Sequence, residues 1–200
     1  AVFRAMVAAL QTTEADALRA LDLLPPAGEV PAVPCDLDAL VADLDPDERE
    51  IVRGGVVFED DNVRVTAALV DHPPLSQAFA YRFDCADRSI VIAGDTRPSP
   101  SLIQLARGAD VLVHEVMHLP SLDALIATEP NAATLREHLL ASHTTTEQVG
   151  EVATAAGVKT LVLSHFVPGG YPFLEDRDWY DAVRPHFAGN LVVGRDLMEL

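Results

Sequence analysis

The chain has 200 residues, with 31 Asp or Glu against 14 Lys or Arg, a formal charge of −17 and a pI near 4.5, which argues against a protein that grips a nucleic-acid backbone unaided. At 49% hydrophobic and 22% charged residues, with a mean hydropathy of +0.17, it carries enough apolar mass for a compact domain burying roughly 70% of its unfolded surface, which excludes global disorder. No run approaches the ~20 apolar residues of a membrane span, and the start AVFRAMVAAL lacks the basic opening and cleavage pattern of a signal peptide. Cys35 and Cys85 stand far apart and form no metal-like pair, so two reduced, mostly buried thiols in a cytoplasmic protein are expected, a single disulfide being the alternative.

Organisation changes near residue 54. Residues 1–53 read as a helical and Pro-rich connecting part: Ala15 to Leu24 is a helix, Pro25, Pro26, Pro31 and Pro34 break the chain, and an acidic stretch runs from Asp36 to Glu50. Residues 54–200 carry the motifs, and residues 1–200 together read as a single domain. There Asn62 to Val70 alternates as a half-buried strand, Ala78 to Phe83 and Ser89 to Ala93 follow as strands, and Ser99 with Pro100 opens a short helix that Gly108 can close. Val111 to Val113 is a buried strand and Asn131 begins a helix. Thr144 and Glu147 form a capping box for another helix, whose Val149, Val152, Ala153 and Ala156 share a face and which Gly157 ends. Thr160 to Leu163 is a strand, Trp179 to Phe187 a helix, and Leu191 to Val193 a last strand. The order predicts an α/β layer structure with a mixed sheet.

Polar residues fall at the ends of these strands. VTAALVDH ends in Asp71 and His72, SIVIAGDT brings Asp95, VLVHE ends in His114 and Glu115, and TLVLSHF brings Ser164 and His165. Ionisable groups at the rim of a buried sheet are costly unless a partner or a metal compensates them, and open sheets place ligands outside their strand ends. Imidazole nitrogen with carboxylate oxygen suits zinc, and also manganese or iron. Each residue also has a plain structural alternative: His72 before Pro73 and Pro74 could end a strand in a turn, Asp95 could cap the turn after Gly94, and His165 could sit satisfied in the core. His118, His138 and His186 read as surface or packing residues, Trp179 as core, and Asp71 as a turn residue.

Taken together and in order, ALVDHPPLSQAFAYRF, IVIAGDTRPS, DVLVHEV, ASHTTTEQVGEVA and TLVLSHFVPG resemble the metallo-β-lactamase-fold metallo-hydrolase superfamily, in its ribonuclease Z, phosphodiesterase and arylsulfatase-like branch, over roughly residues 55–170. The resemblance implies an αββα sandwich, of which this chain is the C-terminal portion. It also implies a two-zinc centre, with manganese or iron as alternatives, that hydrolyses phosphodiester or other ester bonds through a metal-bound hydroxide. Carried over by motif, His72, Asp95 and His165 match metal ligands, with Asp95 bridging both ions. His143 matches the histidine that meets the substrate phosphate or protonates the leaving group, and Glu115 a supporting acid beside it. The start of the following helix is expected to offer its positive end and unpaired N–H groups to an anion.

The sequence departs from that pattern twice. The upstream HxHxDH motif is absent, since no histidine precedes His72, and the missing initiator Met points to an N-terminal truncation. The chain by itself is therefore expected to bind metal weakly and to be a poor enzyme, a degenerate, non-catalytic interaction module being the alternative. Members that process tRNA carry a long arm between the positions of His72 and Asp95, where only 22 residues stand here. A small ester or phosphodiester is thus the expected substrate, with tRNA 3′ cleavage of the ribonuclease Z type as the alternative, no membrane partner, and a homodimer left open.

Overall fold

The computed structural model describes residues 55–127, 132–169 and 174–200. Residues 55–193 fall in one compact unit and Gly194–Leu200 in another; the latter is a turn closed by the Met198 N–H on the Arg195 carbonyl at 3.1 Å. The expected helix at Ala15 to Leu24, the Pro-rich and acidic stretches, and Cys35 lie outside the described residues, while Cys85 is a free, half-buried thiol. Among the described residues no helix is long and apolar enough to cross a membrane.

Seven strands, β1 (Gly55–Glu59), β2 (Val63–His72), β3 (Leu75–Cys85), β4 (Ser89–Ile92), β5 (Val111–Met117), β6 (Thr160–Val167) and β7 (Asn190–Val193), lie in one sheet in chain order. The pairings β1–β2, β2–β3 and β3–β4 are antiparallel; β4–β5, β5–β6 and β6–β7 are parallel. The sheet is mixed, as the sequence predicts. The parallel strands are joined through helices α1 (Pro100–Leu105), α2 (Leu119–Ile126), α3 (Ala132–Ser142), α4 (Thr146–Ala156) and α5 (Asp176–Val183). Because every parallel crossover advances in the same direction across the sheet, one handedness of connection puts its helices on one face. There α1, α4 and α5 cover the sheet: Leu102, Leu105, Val149, Val152, Ala153, Ala156, Trp179 and Val183 share one core with Ala68, Val70, Val91, Leu112, Leu161 and Leu163. Val65, Ala67, Ile90, Val113 and Val162 alternate with these and are buried outside that core, on the other face. Apolar residues on both faces mark a sheet enclosed from two sides.

Several boundaries differ from the sequence reading. Strand β1 and helix α2 were not foreseen, β5 and β6 run further, and the last helix stops at Val183, giving way to a 3-10 turn at Arg184–His186 where Pro185 has no N–H to continue the ladder. The cap of α4 is Thr145, not Thr144. Thr145 Oγ1 accepts the Gln148 N–H at 3.3 Å and Gln148 Oε1 accepts the Thr145 N–H at 3.0 Å. Thr144 is spent elsewhere, its hydroxyl donating to the Thr96 carbonyl and its own carbonyl accepting from Met117 N–H. Gly157 ends α4 in the left-handed conformation, as foreseen.

Strand direction decides where the polar ends go. As β3 is antiparallel to both β2 and β4, β2 runs the same way as β4, β5 and β6, so His72, Asp95, Glu115 and His165 all emerge at one edge of the sheet. After β4 the turn requires Gly94 at φ +65°, where a Cβ would stand 3.0 Å from the Phe79 carbonyl oxygen. Gly94→Ala is expected to cost about 1–2 kcal/mol from the left-handed backbone alone, read as a lower urea midpoint with an unchanged circular dichroism spectrum.

Candidate functional site

At that edge the side chains meet around His143, which leads from α3 toward α4. Its Nδ1 lies 3.0 Å from both carboxylate oxygens of Glu115. Its ring stacks on His165 at 5.8 Å between centroids and 17° between planes, and meets the edge of His72 at 5.2 Å and 72°. His165 Nδ1 in turn lies 3.4 Å from Asp95 Oδ1. One ligand atom from each of Glu115, His143 and His165 lies within 4.8 Å of the others. His72 and Asp95, up to 93 positions away in the chain, adjoin this close set rather than belong to it, His72 through the His143 ring and Asp95 through His165; among the described residues the expected ligands His72, Asp95 and His165 do not by themselves form such a close set.

The cluster has a buried floor and an open rim. Glu115 is 1% and His143 8% exposed, whereas the side chains of His165 and Asp95 are 52% and 40% exposed. Burial pushes the Glu115 carboxyl above its usual range, against the hydrogen bonds from His143 and the Thr96 N–H. The hydrogen bond to Glu115 raises the His143 imidazole above its ordinary value, against the opposing effect of burial. Both groups therefore favour their protonated forms more than they ordinarily would, Glu115 because it is buried and His143 because of its carboxylate partner.

Local structure fixes each side chain. His72 ends β2 opposite Leu75, and its Nδ1 donates to the Ser142 carbonyl at 2.9 Å, which leaves the Nε2 lone pair free. Ser142 Oγ donates to the Pro73 carbonyl at 2.5 Å, fixing the turn that follows. His165 is skipped by the β5–β6 register, Glu115 facing Ser164 and Val116 facing Phe166. It takes φ +41°, a conformation few residues other than glycine adopt, so the bulge turns its imidazole out of the sheet at a cost of about 1–3 kcal/mol. His114 points into the helix-side core, fully buried, its Nδ1 donating to the Glu115 carbonyl at 2.8 Å and its Nε2 without a partner; burial lowers it to about 4. His118 packs edge-on against Trp179 and bonds Ser121 Oγ, a packing residue as foreseen. The capping box occupies two of the N–H groups at the start of α4 that the sequence reading offered to an anion.

Sequence reasoning missed the residues that hold the cluster together. Thr96, 0% exposed, donates its N–H to Glu115 Oε1 at 2.9 Å; its hydroxyl oxygen accepts the Asp71 N–H at 3.2 Å and stands 2.7 Å from the Arg97 carbonyl and 3.1 Å from the Asp71 carbonyl, and its own carbonyl accepts from Thr144 Oγ1 at 2.6 Å. Asp71 pairs with Arg97. Their positions beside Asp95, His143 and His72 were the available signal.

In the metal-free protein, Glu115→Gln is expected to drop the His143 pKa below the ordinary histidine value, because burial then outweighs the weaker opposing charge of Asp95. The imidazole carbon shifts in an NMR pH titration measure this; an unchanged titration would contradict the pairing.

No family model matches the chain. It is 36% identical over 152 residues to the ribonuclease Z of Mycolicibacterium gilvum, covering 76% of this chain and 51% of that protein. Over 143 residues it is 34% identical to the ribonuclease Z of Mycobacterium tuberculosis strain H37Rv, covering 72% and 50%. It thus spans about half the length of these relatives. Among solved structures, the metallo-β-lactamase fold protein YhfI from Bacillus subtilis superposes with a TM-score of 0.51 at 18% identity, over 70% of this chain and 49% of that one.

Proposed function

Since the chain belongs to the metallo-β-lactamase-fold superfamily, on its ribonuclease Z branch, we propose that it is the C-terminal portion of a metal-dependent phosphodiesterase, with His72, Asp95 and His165 as metal ligands. The observation that carries this reading is the meeting of His165, Asp95 and His72 around His143 at one sheet edge. The donor set fits a nitrogen- and oxygen-liking ion such as zinc: the free Nε2 of His72, the exposed Asp95 carboxylate and the His165 ring turned out by its bulge. When bound, the metal would lower the pKa of a water and offset charge developing on the phosphate.

The chain's own residues supply the proton chemistry. His143 holds a proton on Nδ1 against Glu115, and the carboxylate orients the ring and supports its charged form. Nε2 is the atom left to meet a phosphate oxygen or to give a proton to the departing alkoxide. Glu115 is a positioning residue, acting through His143 from beneath the site. If His72, Asp95 and His165 were shared between two ions, neither ion would reach the three protein ligands a catalytic zinc usually takes, and further donors would be needed to complete the centre.

A small aryl phosphodiester or aryl ester is the substrate class favoured. The 22 residues between His72 and Asp95 are taken up by a two-residue turn, β3, β4 and their short connections, which leaves no arm to reach along a folded RNA, and a net charge of −17 repels a polyanion. A second reading, tRNA 3′ cleavage, has the names of the relatives in its favour. In the full-length protein loaded with zinc or manganese, bis(p-nitrophenyl) phosphate should be hydrolysed, and Asp95→Ala or His165→Ala should lower kcat/KM at least about 100-fold, more than the usual loss of a residue behind a ligand. Efficient trimming of a tRNA precursor with little action on the small ester would favour the second reading. The chain alone should bind zinc weakly in a competition titration.

A further inference from the structure

Strand β3 lies between β2 and β4, so no ladder hydrogen bond joins the strand that ends in His72 to the strand that leads to Asp95. Residues beside the two ligands make the connection instead. Arg97 Nε and Nη2 both reach Asp71 Oδ2. The Arg97 N–H donates to the Asp71 carbonyl at 2.9 Å, and the Asp71 N–H reaches Thr96 Oγ1 at 3.2 Å. From this geometry we infer that the Asp71–Arg97 ion pair is a positioning device, setting where His72 stands relative to Asp95. The inference rests on the reading of His72 and Asp95 as ligands.

Two physical points separate this role from general stabilisation. The side chains of Arg97 and Asp71 are 47% and 41% exposed, and an ion pair so open to water contributes little to folding. Its effect is local. Asp71 is also a carboxylate immediately before a proposed ligand; without a partner it would be a further anionic oxygen donor beside the site. The guanidinium fixes that carboxylate by two N–H groups from one planar fork, which an ammonium on a flexible stem cannot reproduce. The Asp95 and Glu115 carboxylates at the same edge add negative charge that favours keeping Arg97 there.

The test uses the full-length protein, with zinc affinity read by competition against a chromophoric chelator and thermal stability read separately. Arg97→Gln and Asp71→Asn are each expected to weaken zinc binding about 10- to 100-fold, the usual effect of removing a partner behind the ligands, while Tm moves by less than about 4 °C. Arg97→Lys should fall between wild type and Arg97→Gln, and the charge-reversed double variant Asp71→Arg with Arg97→Asp should recover part of the loss. Wild-type affinity in both single variants would overturn the inference, as would a fall in Tm larger than that alongside the affinity. If the wild type itself binds no zinc, the ligand reading fails, and the pair is then judged on the metal-free protein by amide hydrogen exchange. Exchange at His72 and Asp95 accelerated at least about 10-fold in Arg97→Gln supports the positioning role; unchanged exchange overturns it.

Discussion

Thr96 has no exposed surface, and its backbone and side-chain polar atoms reach three different segments: its N–H the β5 carboxylate of Glu115, its hydroxyl the end of β2 at Asp71, its carbonyl the hydroxyl of Thr144 before α4. A buried polar group left unpaired costs about 1–3 kcal/mol, so the GDT turn, the His72 strand and the His143 segment can relax independently only at that expense. The residues of the cluster stand next to this one threonine or its partners. Asp95 precedes it, His72 follows the residue it binds, and His143 precedes the threonine that binds it.

The same constraint explains how a carboxylate survives in the core. Glu115, 1% exposed, is held by the Thr96 N–H and by His143 Nδ1, and both its own shift and that of His143 favour retaining a proton between them. In the metal-free chain the sign is set by those directions. Both folded values stand above the unfolded ones, so the stability the pair contributes is fully present below pH ~4.5, where an ordinary glutamate titrates. It declines as pH rises through the raised values. A cation at the rim would change that balance, since positive charge beside the pair favours its deprotonated forms.

Most of the sheet was legible because its strands are apolar runs that stop abruptly at Asp, Glu or His, and a buried strand end is where such a residue changes environment. Strand β1 was not: GVVFE is a short edge strand with Val56 and Phe58 exposed, beside an acidic loop that masks its alternation. Three consecutive threonines offer identical capping chemistry, and only the contact of Thr144 with Thr96 decides that Thr145 is the cap. The Glu115–His143 pair joins residues 28 apart, and no local pattern encodes such a distance. What could be read was which residues the family motifs mark; the buried threonines and the Asp71–Arg97 pair that orient them were visible only as their neighbours in sequence.

The bulge at His165 shows why the site could not be completed from strand patterns. In a regular β6, residues 161, 163 and 165 would share the helix-side face with Leu161 and Leu163, and His165 would enter the core beside His114. Skipping one residue lets Phe166 take that core position against Trp179, at 4.9 Å between rings, and releases the histidine to the rim. The aromatic contact and the exposed imidazole therefore come from one backbone adjustment: packing Phe166 on α5 holds His165 in a strained conformation that nothing in LSHF announces. The left-handed φ of a residue facing solvent is sustained by the core on its other side, which is how a stable sheet can carry a strained functional edge.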